Sequence, residues 1–329
     1  MAQASMETSP AFWSLGNGQG EIAGGQVVHV DDLQPWVEVE SLYTAVSRGT
    51  EALVFNGQVP QSEYQRMRAP FQQGDFPGPV RFGYMNVGRV VAGSEELLGR
   101  PVFCLFPHQR RYRVPASAVT VVPDTVPVER AVLAANLETA INGLWDGAPL
   151  VGDRIAVVGC GVVGCLVAWL ASRIPGARVT AIDPNPSRQA VLSGLGIHWA
   201  ASGDQDDHDL VFHTSGQPKG LNDALSLAGN EARIIEMSWY GTAAVPAGLG
   251  GGFHSRRLTL RSSQVGQLNP GQVPRWDHGS RMALALSLLA EPSLDALITA
   301  DSRFEDLPAV MTQLADGASD TLCHRIHYS

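Results

Sequence analysis

The sequence predicts an α/β fold in two parts, a β-rich, barrel-like domain followed by a doubly wound parallel sheet. Three observations predict it. The chain has 329 residues, which is enough for two domains. Over roughly the first 145 residues, short apolar runs are separated by turn residues. Beyond Gly152, apolar strand candidates alternate with helical patterns, which is the order of strand–helix–strand units with right-handed crossovers.

The elements follow one another along the chain in that order. In the β-rich part the strand candidates are residues 26–30, 36–39, 87–92, 101–106 and 118–122. In the second part they are residues 155–158, 179–182, 210–213, 233–237 and 258–261. Apolar residues recur at three- and four-residue steps over 163–170 and predict a helix with one apolar stripe. Further helices are expected at 281–289 and 307–314, before a last short run at 323–327.

Composition and charge exclude several classes of function. Hydrophobic residues make up 44% of the chain and charged residues 17%, which does not fit a disordered protein. The net charge is −9 and no long basic run occurs, so no nucleic-acid partner is expected. Neither a membrane span nor a signal peptide is expected. The four cysteines form no Cys-x-x-Cys pair and are expected to be buried or free thiols in a reducing cytosol. These exclusions leave a cytoplasmic protein that acts on a small molecule.

The strongest local signal is a glycine-rich turn after the first strand of the second part. Gly159, Gly161 and Gly164 form a G-x-G-x-x-G pattern that follows an apolar strand and opens a helix. The first glycine permits a tight turn, the second lets a pyrophosphate approach the backbone, and the third lets helix and strand pack closely. Val162 and Val163 begin the helix, whose N-terminus offers free N–H groups. The pattern predicts a dinucleotide site, and an ordinary strand-to-helix turn is the alternative.

The choice between the two nicotinamide dinucleotides depends on two residues. Asp183 ends the second strand of this part, where a carboxylate accepts hydrogen bonds from the ribose hydroxyls and repels a 2′-phosphate. This position favours NAD over NADP. Arg188 lies five residues further on and can reach toward a 2′-phosphate, which leaves NADP open.

Residues after the later strands extend the predicted cofactor site. Ser215, Trp239 and Tyr240 follow strand candidates, and ligands of an open α/β sheet lie over the carboxyl ends of its strands. For Trp239 and Tyr240, plain packing of the rings against the loop is the alternative. No Ser/His/Asp or Cys/His set in the sequence suggests nucleophilic catalysis.

Taken together, these parts resemble the medium-chain dehydrogenase/reductase superfamily. The motifs that carry the resemblance are 47–51 (SRGTE), 83–88 (GYMNVG), 152–159 (GDRIAVVG), Asp183 and 295–299 (DALIT). Residues 47–51 and 108–117 resemble the zinc-lacking branch that includes bacteriochlorophyllide dehydrogenase. The resemblance implies a GroES-like catalytic domain at 1–147, an NAD-binding Rossmann domain at 148–280, and a return to the catalytic domain at 281–329. Family members are usually homodimers or tetramers, and we expect a homodimer.

The chain departs from the zinc members of that superfamily at the metal ligands. Arg48 stands where those enzymes have a cysteine, Tyr84 where they have a histidine, and Ala135 where they have the third ligand. Zinc needs three protein donors of the cysteine, histidine or carboxylate type. The lobe with four closely spaced cysteines is also missing. These departures predict that the protein binds no metal ion, zinc included.

Without a metal, side chains must move the proton or hold the developing charge. Tyr84 is the first candidate, and Arg48 is expected to lower its pKa. A core tyrosine and an ion pair between Arg48 and Glu51 are the respective alternatives. His108 is a further candidate because imidazole titrates in the useful range, and a histidine satisfied by ordinary hydrogen bonds is its alternative.

Two neighbouring residues complete the list of candidates. Glu138 is either functional or an acid in the first turn of a helix, since a buried carboxylate is costly unless it is paired. Thr139 matches a position that, in the family, touches the nicotinamide ring.

These residues predict a zinc-independent NAD(P)(H)-dependent oxidoreductase. The expected reaction moves hydride between nicotinamide and a secondary alcohol or ketone, in specialised metabolism. One alternative is a reductase of activated C=C bonds of the enone or quinone type, which needs only a polarised carbonyl. The other is a dinucleotide-binding module without turnover, in which Tyr84 and Glu138 are dispensable.

Overall fold

The computed structural model describes residues 7–27, 34–203, 207–317 and 319–328. Backbone contacts divide the chain into two compact units. The first unit comprises Met1–Ala135, Leu286–Glu291 and Ile298–Ser329, and the second comprises Asn136–Ala285 and Pro292–Leu297. Within the described ranges, no helix has the length and apolar character that crossing a membrane requires.

The strands and helices are numbered along the chain. The strands of the first unit that precede the second unit are β1 (Thr8–Ser14), β2 (Gly20–Gln26), β3 (Trp36–Val46), β4 (Gln73–Gly74), β5 (Val80–Arg81), β6 (Asn86–Gly93), β7 (Pro101–Cys104), β8 (Arg111–Pro115) and β9 (Val119–Val121). The remaining strands are β10 (Arg154–Val158), β11 (Arg178–Ile182), β12 (His198–Ala200), β13 (His208–His213), β14 (Ala228–Glu236), β15 (Thr259–Ser262), β16 (Ile298–Arg303) and β17 (Cys323–His327). The α-helices are α1 (Arg48–Phe55), α2 (Ala134–Gly147), α3 (Val162–Ala171), α4 (Arg188–Gly194), α5 (Pro218–Leu227), α6 (His278–Leu288) and α7 (Leu307–Ala315).

The second unit is built on a parallel sheet in the order β12–β11–β10–β13–β14–β15. Its central strands are apolar on both faces, as a parallel sheet covered by helices requires; four of the five residues of β10 are buried. Ala156, Val211 and Ile234 belong to the core on this sheet. The strand order reverses direction between β10 and β13, and ligands of such sheets bind at that switch point.

The first unit contains two mostly antiparallel sheets. One has the order β2–β1–β5–β4 and the other the order β16–β17–β3–β6–β7–β9, with β8 paired to β3. Strand β3 is the longest of these and pairs with β6, β8 and β17, so its end brings several segments together. A valine-rich core lies around β3, β6, β7 and β8, and it includes Val39, Val90 and Val102.

Most of the expected elements are present with shifted ends. Each strand expected between residues 155 and 261 overlaps one strand of the parallel sheet, and the expected helices at 281–289 and 307–314 overlap α6 and α7. The strand expected at 26–30 overlaps β2 at Gln26, where β2 ends, and residue 27 lies beyond the strand; residues 28–30 lie outside the described ranges. The expectation of a single apolar stripe on α3 is wrong. Six consecutive residues of this helix, 164–169, are buried, because the helix is covered on nearly every side.

Candidate functional site

The glycine turn joins β10 to α3 next to the switch point of the parallel sheet. Gly159 has a φ of +97°, a conformation that residues with a side chain rarely adopt. A Cβ on Gly164 would overlap the carbonyl oxygen of Gly159, so this glycine lets α3 approach the turn. A Cβ on Gly161 would meet none of the described atoms within 4 Å, so the space beside it is open. Helix α3 starts at Val162 and Val163, and its N-terminus can receive a phosphate in that space.

Asp183 follows β11 and is bound to the glycine turn. Its Oδ2 accepts a hydrogen bond from the Cys160 backbone N–H at 2.7 Å, and its Oδ1 accepts one from the Asn185 N–H at 2.9 Å. A carboxylate has further lone pairs, so Asp183 can also accept hydrogen bonds from ribose hydroxyls. Arg188 begins α4 and is buried. Burial raises the pKa of the Cys160 thiol and the nearby Arg188 guanidinium opposes the rise, which puts the arginine close to the same turn.

A hydrogen-bonded cluster lies at the ends of β13 and β14. The Nδ1 of His213 lies 2.7 Å from Oε2 of Glu236, and its Nε2 lies 2.6 Å from Oγ of Ser215. The Tyr240 hydroxyl donates to Oε2 of Glu236 at 3.0 Å. Trp239, in the same segment, is half-buried.

The sequence names Ser215 and Tyr240 but misses His213 and Glu236. It also gives no sign that a serine, a histidine and an acid lie together, whereas the structure places His213 within hydrogen-bond distance of both Ser215 and Glu236. His213 and Glu236 are register partners in neighbouring parallel strands, so the sheet brings them together across 23 residues of chain. The signal that could have found them is that each is the last, polar residue of its apolar strand.

In the first unit, His108 lies against a buried carboxylate. Oε1 of Glu51, in α1, accepts a hydrogen bond from the Ser47 backbone N–H at 2.7 Å, and its Oε2 lies 2.9 Å from Nε2 of His108. The other ring nitrogen of His108 lies 2.7 Å from Oγ1 of Thr44, which in turn lies 3.2 Å from the hydroxyl of Tyr328. Glu51 and His108 are 3% and 1% exposed, so both are held by protein groups.

Tyr84 joins this network through Ser47. Its hydroxyl donates to Oγ of Ser47 at 2.6 Å. Burial and the negative charge of Glu51 raise the pKa of Tyr84 to about 12, so it is a neutral phenol at ordinary pH. The expected lowering of this pKa by Arg48 is therefore wrong. The Arg48 guanidinium donates instead to the backbone carbonyls of Ser319 and Thr321, at 2.8 and 3.4 Å.

Glu138 lies in α2 and forms a buried ion pair. The Nε of Arg281 donates to its Oε1 at 3.0 Å, and the two side chains are 6% and 1% exposed, respectively. Burial raises the pKa of Glu138, and the positive charge of Arg281 opposes the rise. The interpretation as an acid of the first helical turn is wrong, because α2 begins at Ala134 and Glu138 lies one turn further on. Thr139, the next residue, is half-buried.

The side chains at the three ligand positions of the zinc enzymes do not fit a zinc ion. Arg48, Tyr84 and Ala135 offer no thiolate, imidazole or carboxylate. Across the residues that the structure describes, no group of three or more His, Cys, Asp or Glu side chains is placed to hold a metal ion.

No protein-family model matches the chain. Two curated relatives cover parts of it. The L-threonine 3-dehydrogenase of Bacillus velezensis is 28% identical over 139 residues, which are 38% of this chain and 40% of that protein. An uncharacterised zinc-type alcohol dehydrogenase-like protein of Haemophilus influenzae is 25% identical over 63% of this chain and 61% of its own length. The chain therefore spans less than two thirds of the length of these relatives.

Solved structures match over nearly the whole chain. The L-idonate 5-dehydrogenase of Escherichia coli has a TM-score of 0.77 at 16% identity, and the match covers 99% of this chain and all of that one. The chain has the fold of the medium-chain dehydrogenases. The predicted fold class, a β-rich GroES-like domain and a doubly wound Rossmann domain, is confirmed. The relatives and the solved structures are dehydrogenases to which this chain is similar, and its place in the superfamily and in the zinc-lacking branch stays a prediction.

Proposed function

We propose that this chain is a zinc-independent NAD(P)(H)-dependent oxidoreductase that interconverts a secondary alcohol and a ketone. One observation carries the proposal. The glycine turn leaves open space beside Gly161 at the switch point of the parallel sheet, next to the N-terminus of α3. This is the arrangement that accommodates a pyrophosphate.

The residues around the turn fit a dinucleotide. Gly159, Gly161 and Gly164, with Val162 and Val163, would hold the pyrophosphate, and Asp183 would accept hydrogen bonds from the adenosine ribose. The residues that would border the rest of the cofactor are Thr139, Ser215, Trp239 and Tyr240. When bound, the nicotinamide ring supplies or accepts the hydride.

NAD is the preferred cofactor in this proposal. The carboxylate of Asp183 lies beside the turn, where it would repel the 2′-phosphate of NADP. The guanidinium of Arg188 is buried near the same turn, so it can offset part of this repulsion. We expect discrimination against NADP that is real but incomplete.

Tyr84 would hydrogen-bond the substrate oxygen. A neutral phenol can donate a hydrogen bond to a carbonyl and stabilise the negative charge that develops on its oxygen. In the structure the single proton of this hydroxyl is donated to Oγ of Ser47, so on substrate binding it would turn to the substrate oxygen while the Ser47 hydroxyl donates to the phenol oxygen in return. Glu51 accepts a hydrogen bond from the Ser47 backbone N–H and lies against His108, which holds Ser47 in place. In this proposal His108 acts through Glu51 and Ser47. Arg48 and Glu138, which the sequence also suggests, are engaged by the Ser319 carbonyl and by Arg281, so this proposal gives them no direct part in the reaction.

The same feature supports a second candidate, a reductase of activated C=C bonds. A phenol whose pKa is raised to about 12 polarises a carbonyl but gives up its proton reluctantly. Reduction of an enone needs polarisation of a carbonyl remote from the carbon that receives the hydride. Turnover with a panel of ketones and enones separates the two, because only the second function reduces the enone while leaving the ketone untouched.

The proposal extends to the oligomeric state and the cellular location of the protein. Resemblance to the zinc-lacking branch supports a homodimer that acts in specialised metabolism in the cytoplasm. Gel filtration with light scattering tests the dimer, and a monomer would refute that part alone.

Binding of the two dinucleotides tests the proposal directly. NADH and NADPH are titrated by fluorescence into one purified sample, whose zinc content is measured in parallel. We expect NADH to bind more tightly than NADPH, and Asp183→Ala to weaken NADH and reduce the difference between them. Asp183→Asn keeps an oxygen for the Cys160 N–H but removes the charge, so it should relax the preference with less loss of affinity. Protein that binds neither dinucleotide refutes the proposal.

A further inference from the structure

His213 and Glu236 form a pair beside Ser215 that the proposed reaction does not use. His213 is completely buried at the end of β13, and Glu236 is its register partner at the end of β14. The ring Nδ1–H donates to Oε2 of Glu236 at 2.7 Å, which directs the other nitrogen to the Ser215 hydroxyl at 2.6 Å. The protonation of that nitrogen decides which partner donates.

Ser215 lies against the turn that is proposed to bind the dinucleotide. A Cβ on Gly159 would come within 2.5 Å of the Ser215 Cα, so the two backbones are in direct contact. Ser215 follows β13, one of the two strands that flank the switch point. Its side chain is half-buried rather than enclosed, which leaves it accessible to a ligand in the crevice. The hydroxyl controlled by His213 is thus part of the proposed cofactor site.

We propose that His213 and Glu236 are positioning residues that act on the bound dinucleotide through Ser215. When His213 is neutral, its Nε2 accepts a hydrogen bond from the Ser215 hydroxyl, and Ser215 offers only lone pairs to a ligand. When His213 is protonated, Nε2–H donates to Ser215, and the serine proton is free for an oxygen of the dinucleotide. Phosphate and ribose oxygens are acceptors, so protonation of His213 strengthens binding. This inference rests on the proposed function.

The groups that face His213 come from the end of β14, from the segment after it and from α5. Burial raises the pKa of Glu236, but the hydrogen bonds from His213 and Ser238 outweigh it, and the pKa is lowered. Burial and the charge of Glu236 raise the pKa of Tyr240, so its hydroxyl stays neutral. From α5, uncharged Gly220 packs against the ring. Among these side chains histidine is the type that changes charge between about pH 5 and 8.

The test is the pH dependence of NADH affinity, measured by fluorescence titration of the full chain between about pH 5.5 and 8.5. We expect the Kd of the unmodified protein to be roughly threefold to tenfold lower at the acidic end, the effect of one hydrogen bond. His213→Gln and Ser215→Ala should remove this dependence. Glu236→Gln should move the transition to lower pH, because it removes the charge that stabilises the imidazolium. Ser226→Ala, an exposed hydroxyl of α5 bonded to the Asn222 carbonyl, is the control and should behave like the parent.

Two results overturn the inference. One is tight NADH binding that does not change with pH, which leaves the proposed function standing. The other is a Ser215→Ala protein that keeps the full pH dependence, since the histidine would then not act through the serine. Parent protein that binds no dinucleotide overturns the proposed function together with this inference. Thermal unfolding of each variant identifies any that fails to fold. If His213→Gln fails to fold, the pH at which NADH affinity changes in Glu236→Gln still tests the inference.

Discussion

Tyr84 owes its chemical character to burial and to Glu51. A phenol beside a carboxylate in a poorly solvated place resists ionisation, because the phenolate would be both desolvated and repelled. Its pKa of about 12 means that the proton stays on the oxygen throughout the physiological range. Tyr84 is therefore suited to donate a hydrogen bond and unsuited to act as a base.

We expect Tyr84→Phe to lower kcat by about a hundredfold with little change in KM, since the lost hydrogen bond matters most as charge develops. Steady-state kinetics on the best ketone or enone from the panel measures this. Tyr64→Phe is the matched control, as Tyr64 is another tyrosine of the same unit, in ring contact with Phe76. Equal activity of Tyr84→Phe and the parent would contradict the assigned role.

The pH profile of the same reaction tests the protonation state of Tyr84. A group that must keep its proton works below its pKa and fails as the pH rises through it, here about 12. We therefore expect no loss of rate that depends on Tyr84 between about pH 6 and 10. A basic limb in that interval that disappears in Tyr84→Phe would show that the phenol ionises far more easily than its surroundings imply.

Substitutions of Glu138, which is paired with Arg281, distinguish a structural from a catalytic role for this carboxylate. Removing one partner of a buried pair leaves an uncompensated charge, so Glu138→Leu should lower the free energy of unfolding by about 3 kcal/mol or more. Glu138→Gln keeps an acceptor for Arg281, so we expect a smaller loss and unchanged turnover per folded molecule. Asp223→Asn, in the exposed pair with Lys219, should cost under about 1 kcal/mol. Denaturant unfolding measures the free energy of unfolding, and kcat measures the turnover per folded molecule. A stable but inactive Glu138→Gln protein would show that Glu138 is catalytic.

At the scale of elements, the turn from β10 to α3 offers a clean comparison between two glycines. Gly161 faces open space and has an ordinary φ of −71°, so Gly161→Ala should fold normally and weaken NADH binding by roughly tenfold or more. Gly164 has the Gly159 carbonyl in the place of a Cβ, so Gly164→Ala should cost about 3 kcal/mol of stability. Thermal unfolding and NADH titration of both variants measure this. A stable Gly161→Ala protein that binds NADH normally would show that the pyrophosphate does not bind beside Gly161.

Elements with a strong local pattern are the ones that sequence predicts. Strands β10 and β11 are apolar runs bounded by turn residues, and the glycine pattern between β10 and α3 admits few other structures. β2 (Gly20–Gln26) is rich in glycine and has no apolar alternation, and its place in the sheet comes from pairing with β1. Such tertiary pairing leaves no trace in a window of a few residues.

In the candidate site, too, sequence predicts the residues of a local motif but not the contacts made by the fold. The glycine turn and Asp183 follow from spacing, but the partners of Tyr84 do not. Ser47, Glu51 and His108 come from three segments, and only the folded sheet brings them together. For the same reason the sequence could not reveal that Arg48 turns to the carbonyl of Ser319, 271 residues away.

At the scale of the whole molecule, the cysteines bear on the question of zinc. All four are buried in the described structure, and burial raises the pKa of each thiol above its ordinary value; those of Cys104 and Cys323 rise to about 12. Two of these cysteines lie in each unit, so neither unit supplies from cysteine alone the three protein donors that zinc needs. Together with the ligand positions held by Arg48 and Tyr84, this supports chemistry carried by side chains alone.

We therefore expect the activity to survive removal of divalent metals. After dialysis against a chelator, turnover with NADH should stay within about twofold of the untreated value, because hydrogen bonding by Tyr84 needs no Lewis acid. Added zinc should not raise it, and the purified protein should hold far less than one zinc per chain. A zinc-dependent dehydrogenase treated in parallel controls for the chelation, since it must lose activity and regain it with zinc. Stoichiometric zinc, or a loss of activity that zinc restores, would show that the metal is bound by ligands other than those at the three family positions.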